Sequence, residues 1–183
     1  MEKLVVGRDC GSCTACCKEL TIKHDELKKF AGELCQHCAV GQGCKIYETR
    51  PEVCRTWHCL WRSMSQLDDS WRPDRIGIIL SLEAAPDGFS ETVGIKFSVI
   101  GAPGVLRSEK VVSVICAAVE NEIPTFISAA GKIGMAGGKG LINGDAKLRN
   151  AIKEGNLREA QSSIWNCYRA AKAVPQVPID LDD

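Results

Sequence analysis

The apolar positions become regular only beyond residue 72. Ile76-Gly-Ile78-Ile79-Leu80-Ser-Leu82 is a short, nearly unbroken apolar run and predicts a buried strand. Val93-Gly-Ile95-Lys-Phe97-Ser-Val99 alternates with a period of two, which predicts a strand with one apolar face and one small or polar face. Pro86-Asp87-Gly88 between them is a turn signal, so the two runs read as an antiparallel hairpin, closed by Gly101-Ala-Pro-Gly104. Ser108 caps a helix running to Glu122, with Val111, Val112, Ile115 and Val119 as its apolar stripe. Thr125 to Ala129 predicts another strand. Asp145 opens a short helix that stops at Gly155. Asn156-Leu-Arg-Glu159, a variant capping box, opens the last helix, with Leu157, Ala160, Ile164 and Tyr168 facing inward. Pro175 ends that helix, and the acidic tail over 180–183 is expected to be loose.

The first 72 residues carry weaker periodicity and more turn residues. Thr21-Ile22 suggests a short strand. His24 to Ala31 reads as a short helix, from the spacing of Leu27, Phe30 and Ala31, and Gly32 ends it. His24 at its start reads as a solvated polar residue. Gly41-Gln-Gly43 is a turn. Pro51 suits the first turn of a helix reaching Arg62. On such a helix Cys54 and His58 share a face, while Cys59 lies roughly 140° round from Cys54, so both thiols reach one metal only if the helix ends there. Trp57 and Trp61, four apart, predict a packing stripe over the metal. The fold class expected is α+β: a cysteine-rich, metal-binding region over 1–72 packed on a small α+β region over 73–183. Trp71-Arg-Pro-Asp-Arg75 is the joint.

Composition narrows the chemistry. The 183 residues are 45% apolar, enough for an ordinary core. Lys+Arg and Asp+Glu are balanced at 23 each, with no basic stripe, which argues against a nucleic-acid binder that works through phosphate contacts. The first nine residues carry acid and base and too few apolar residues for a secretory signal, and no run approaches the ~18 apolar residues of a membrane helix. A cytoplasmic location is therefore expected, where thiols stay reduced and disulfides are rare. A metal site then outranks a disulfide framework as the use of the cysteines.

Eleven cysteines are present, and nine of them precede residue 60: Cys10, Cys13, Cys16, Cys17, Cys35, Cys38, Cys44, Cys54 and Cys59. These nine are the candidate metal ligands. Cys10/Cys13, Cys13/Cys16 and Cys35/Cys38 have the C-x2-C spacing, in which a tight turn aims two thiolates at one ion and its amides bond to the sulfurs. Nine thiols exceed the four of one closed zinc site, leaving room for two sites or a cluster. Side chains of neighbours diverge, so Cys16 and Cys17 suit one ligand with one spectator, or one ligand to each of two metals. Cys10, Cys13 and Cys16 match the start of a bacterial ferredoxin run, but the closing Cys-Pro is absent, so a fourth ligand would come from Cys54 or Cys59. His37 and His58 read as neighbours of the ligands rather than ligands. Cys116 and Cys167, in apolar helical surroundings, read as small buried hydrophobes.

The order of these residues resembles the YkgJ, or CxxCxxCC cysteine-cluster, family. The resemblance rests on Cys10, Cys13, Cys16 and Cys17, then Cys44, Ile46, Tyr47, Arg50, Pro51, Cys54, Arg55 and Cys59, and covers residues 10–59. Trp71-Arg-Pro-Asp74 is similar to some bacterial members. The resemblance implies a zinc- or iron-chelating domain. Members are often labelled iron–sulfur proteins, and one branch, the flagellin lysine-N-methylases, carries a similar domain in a longer chain. No clear S-adenosylmethionine motif accompanies it here.

Arg50 and Arg55 could offset the negative charge of clustered thiolates, and Tyr47 could pack over them. Gly131-Lys-Ile-Gly134-Met-Ala-Gly137-Gly138-Lys139-Gly140 departs from the phosphate-loop pattern at Ile133 and Gly140, and reads as a flexible loop. No histidine follows His58, so no Ser/His/Asp set can be drawn, and no catalytic residue is assigned. Three functions remain: a zinc- or iron-binding module; an iron–sulfur protein with redox or lysine-methylase-like activity; and a thiol redox sensor or metal store. The cofactor expected is zinc or iron, including an iron–sulfur cluster. The partners expected are a metal ion and a protein, with neither nucleic acid nor membrane.

Overall fold

A computed structural model describes residues 4–182; the charged start of the chain at 1–3 and the final tail residue lie outside the described residues. The chain is mixed α and β. In order it forms α1 (Ala15–Glu19), β1 (Ile22–His24), β2 (Leu27–Lys29), β3 (Cys38–Ala39), β4 (Gly43–Cys44), α2 (Glu52–Thr56), α3 (Leu60–Ser63), α4 (Pro73–Ile76), β5 (Ile78–Ala84), β6 (Val93–Val99), α5 (Glu109–Glu120), β7 (Thr125–Ala129), β8 (Lys139–Leu141), α6 (Ala146–Lys153) and α7 (Leu157–Ala173).

The main sheet runs β5-β6-β7-β8. The expected hairpin is present: β5 pairs antiparallel with β6, from Ile78 opposite Val99 to Ala84 opposite Val93. β6 and β7 are parallel, so the chain between them must cross over, and α5 makes the crossing. β8 pairs antiparallel with β7, which converts the end of the glycine-rich segment from the expected loop into an edge strand.

Alternation along the strands gives the sheet two different faces. Ile78, Leu80, Phe97, Val99, Ile127 and Ala129 point into the main core with Val111, Val112 and Ile115 of α5 and Ala160, Ile164 and Tyr168 of α7. Fully burying one Ile or Phe is worth about 1.5–3 kcal/mol, so this stripe-on-sheet packing holds the C-terminal part. Two of the predicted caps bond as expected: the Asp145 side chain accepts from the Leu148 amide, and that of Asn156 from the Glu159 amide. Ser108 stands at the start of α5 but makes no side-chain cap, because its hydroxyl donates to the Val105 carbonyl instead. Leu157, by contrast, is exposed. Cys116 and Cys167 are half-buried against the main core.

The other face carries Ile79, Ser81, Lys96 and Ser98. Here the first part of the chain is seated: Ile79 packs with Cys13 and Ala15, and Trp57, Cys59 and Ile100 close around them. Leu60, Trp61, Leu67 and Trp71 cross to the main core, so the stretch before the expected joint already contributes to it. At the joint, Pro73 opens α4 and Gly77 ends it with a φ of 75°, packed against Gly101.

Two local expectations differ. The span from His24 to Ala31 is a hairpin of β1 and β2, not a helix. Its burial has a period of two, Leu27 and Lys29 inward and Lys28 outward. His24 Nδ1 accepts from the Glu26 amide to shape the turn. The expected helix from Pro51 to Arg62 is two short helices, because Trp57 is extended and Cys59 caps α3. Trp57 and Trp61 therefore do not form one helical stripe. Trp57 stays beside the cysteines, and Trp61 enters the core with the Arg8 guanidinium 5.4 Å from its ring centre.

Candidate metal centre

All nine candidate cysteines line one cavity of about 440 Å³, whose wall also includes Ser81 and Lys96 from the small, polar face of the sheet. Its lining contains lysine, arginine and histidine but no aspartate or glutamate. His37 and His58 are both in that wall.

Short elements and tight turns set the thiols in place. The Cys13 amide donates to the Cys10 carbonyl at 2.8 Å, and the Cys38 amide to the Cys35 carbonyl at 2.9 Å, so two of the three C-x2-C segments, Cys10/Cys13 and Cys35/Cys38, form the expected turn. α1 presents Cys16 and Cys17. Successive residues on a helix are about 100° apart, so the two thiols start out on different sides. β3 and β4 set Cys38 opposite Cys44. Gly43 has a φ of 81° and lies where a Cβ would collide with the Gly11 carbonyl, so the β4 backbone is pressed against the first cysteine loop.

The thiols sort into two groups. Cys10, Cys13, Cys16 and Cys59 line a smaller recess with Ala15, Trp61, Arg62, Pro73 and Ile79. Cys17, Cys44 and Cys54 pack around the buried Leu27, Cys35 and Cys38. The Cys35 amide donates to the Cys17 carbonyl at 2.9 Å, which ties the second group together through the backbone. The groups meet at the adjacent pair, where the Cys16 and Cys17 Sγ atoms are 3.8 Å apart. In sequence the second group is nested inside the first, since Cys17 to Cys54 falls between Cys16 and Cys59. Among the described residues, no three or more His, Cys, Asp or Glu side chains are drawn in to the geometry of a closed metal site.

The electrostatics act within each group and across the seam between them. Burial pushes the Cys59 thiol up to about 11, with Cys10 and Cys13 adding to the effect. Burial also raises Cys13 and Cys54. It raises Cys38 too, with a hydrogen bond to Cys17 as the next cause. The hydrogen bond between Cys16 and Cys17 raises Cys16 and lowers Cys17, and Cys38, Lys29 and Arg50 also favour the Cys17 thiolate against its burial. Metal entry would displace protons from most of these sulfurs.

Three cations flank the sulfurs. Arg62, only 6% exposed, donates through Nη1 to the Tyr47 hydroxyl at 2.7 Å and reaches Cys10 Sγ at 3.5 Å. Lys29, also 6% exposed, donates through Nζ to the carbonyls of Lys18, Leu20 and Phe30. Arg50 lies 3.9 Å from the Tyr47 ring centre and donates to the carbonyls of Tyr47 and Cys54. The expected packing of Tyr47 and placement of Arg50 are therefore found, while Arg55 is exposed. Arg62 and Lys29 escaped the sequence reading. For Lys29 the available signal was the two-residue alternation of its hairpin; for Arg62 it was the three-residue spacing from Cys59. Arg72 adds a further tie, donating to Ser12 Oγ within the first cysteine loop while paired with Asp74.

A thiophilic metal fits this chemistry in three respects. The donors are thiols, the favoured ligands of zinc and iron–sulfur centres. Arg62, Lys29 and Arg50 flank them in a cavity lined by no carboxylate, and Asp74, which reaches Cys13 from outside that lining, is itself paired with Arg72; this balance suits an anionic metal–thiolate unit. The buried Nε of Arg62 and Nε1 of Trp61, both beside the smaller recess, have no hydrogen-bond partner among the described residues, and N–H groups next to metal-bound sulfur are suited to donate to it. No family model matches the chain, and neither the curated proteins nor the solved structures contain a match to it.

Proposed function

We propose that the protein binds zinc or iron through the cysteines of residues 10–59. The observation that carries this reading is the gathering of nine thiols from distant stretches into one carboxylate-free cavity flanked by Arg62, Lys29 and Arg50. The resemblance of residues 10–59 to the CxxCxxCC cluster family points the same way. Four thiolates closing on zinc leave no open position, so zinc here would act as a structural tie between the loops and the sheet face.

The cavity favours a second reading, an iron–sulfur cluster. A single tetrahedral ion draws its four sulfurs to about 3.8 Å from one another. A chamber of about 440 Å³ with unconverged thiols has the room that a cluster takes up. A cluster would supply one-electron chemistry; the cations and N–H donors around the thiols would tune it.

The test is protein purified without oxygen, measured for zinc, iron and acid-labile sulfide together with its visible spectrum. Colourless protein with stoichiometric zinc supports the structural reading. Brown protein with iron and sulfide supports the cluster. Folded protein holding neither metal refutes both.

A further inference from the structure

We propose that the adjacent pair Cys16-Cys17 divides two separate metal centres. One is held by Cys10, Cys13, Cys16 and Cys59, and the other by Cys17 with three of Cys35, Cys38, Cys44 and Cys54. The inference rests on the reading that these cysteines bind metal, and it adds how many centres there are and which thiols share each.

Geometry is the first ground. Cys16 lines the smaller recess with Cys10, Cys13 and Cys59, and Cys17 does not. Cys17 instead packs with Cys44 and Cys54 around Cys35 and Cys38, and bonds to Cys35 through the backbone. Each group reaches the four thiolates that a closed centre takes, and the second has one to spare.

Charge is the second ground. A divalent ion, or a [4Fe-4S] core, held by four thiolates leaves a net charge of about −2. Each group has its own buried or half-buried cations: Arg62 at Cys10 for the first; for the second, Lys29, bonded to the Lys18 carbonyl beside Cys17, and Arg50, bonded to the Cys54 carbonyl. Among the described residues, none of the three is paired with a carboxylate. The Arg62 Nε, buried without a partner among the described residues, stands at the first group and marks it as a site in its own right.

The rival is a single centre at the seam, because 3.8 Å between Cys16 and Cys17 sulfurs is also the edge of one metal tetrahedron. The two differ in how metal is lost. Metal content per chain would be measured for anaerobic wild type and for Cys16→Ser, Cys59→Ser, Cys17→Ser and the doubles Cys16→Ser/Cys59→Ser and Cys16→Ser/Cys17→Ser, with circular dichroism reporting fold. Two centres require that Cys16→Ser and Cys59→Ser lose the same share, that their double loses no more, that Cys17→Ser loses the complementary share, and that Cys16→Ser/Cys17→Ser loses everything. A folded single variant at Cys16 or Cys17 that loses all the metal, or none, overturns the division while leaving metal binding intact. Wild type without metal overturns the underlying reading as well. If the variants do not fold, wild type decides alone: about eight thiols becoming open to alkylation on metal removal supports two tetrathiolate centres, and four or five overturns them.

Discussion

The two faces of the main sheet are covered by regions built on different terms. On one face, α5 and α7 lay long apolar stripes over Phe97, Ile127 and Val99, and side-chain caps at Asp145 and Asn156 fix where α6 and α7 begin. On the other face, residues 10–59 use strands of two or three residues and helices of five, and their buried clusters include Cys13, Cys35 and Cys38 themselves. Elements that short do not hold themselves up in water. Where the helical face is secured by buried hydrocarbon, the other face has thiols in the same structural positions. The difference teaches that stability and the proposed chemistry are concentrated in opposite layers of one small molecule.

The comparison can be broken in three ways. The largest effect is expected from removing metal with a chelator under reducing conditions. Amide exchange over residues 10–59 should accelerate at least about a hundredfold, because the proposed metal binding would be coupled to folding there, while β6, β7 and α7 keep their protection. Equal protection of both regions before and after would show that the cysteine layer stands without metal. Next is Phe97→Ala, at a site fully buried in the helical face. It should cost about 3–5 kcal/mol, roughly 10 °C in Tm, and leave the metal content of the folded fraction unchanged. A proportional loss of metal would mean that the two layers are not separable. The smallest effect concerns Glu83, which bridges Lys96 of the cavity wall and Lys139 of β8 at 2.5 and 2.6 Å. Burial works to raise its pKa, but the bonds from Lys139 and Lys96 outweigh it and hold the carboxyl below its ordinary value. A depressed folded pKa contributes stability that is complete above the unfolded value of about 4.3 and fades as pH falls through the folded one. Wild type should therefore melt above Glu83→Gln at pH 7, and the gap should close on acidification below about pH 4. A gap that is constant with pH would remove the ion pairs as its cause.

The helical layer was largely legible in the sequence because its signals are local. Alternation fixed β6, a turn between apolar runs fixed its pairing with β5, and Asp145 and Asn156 announced the caps that they make. What was not legible there depends on distant chain. The parallel pairing of β7 and the capture of β8 at the sheet edge follow from where α5 returns the chain. In the cysteine layer the candidate ligands were legible as residue types, and their grouping was not. Leu27, Phe30 and Ala31 fit a helical spacing, yet Lys29 finds three carbonyl acceptors only in the hairpin, and that tertiary bonding decided the fold. Cys54 and Cys59 are close in sequence but face different groups, since α2 ends at Thr56. Cys17 and Cys35, far apart in sequence, are joined by a backbone bond.

The nesting of one thiol group within the span of the other has a consequence for how the chain assembles. Closing a loop costs entropy that grows with the logarithm of its length. Were Cys16 and Cys59 to meet first, the whole intervening chain would have to be confined at once. If the inner group closes first, Cys17 and Cys54 are already neighbours, and the outer closure spans only the short stretch from Cys54 to Cys59. The cheaper route is therefore sequential, inner then outer, with the second step nearly local. The layer would then zip shut from its middle, and its two ends, Cys10 and Cys59, would be the last parts to settle and the first to open.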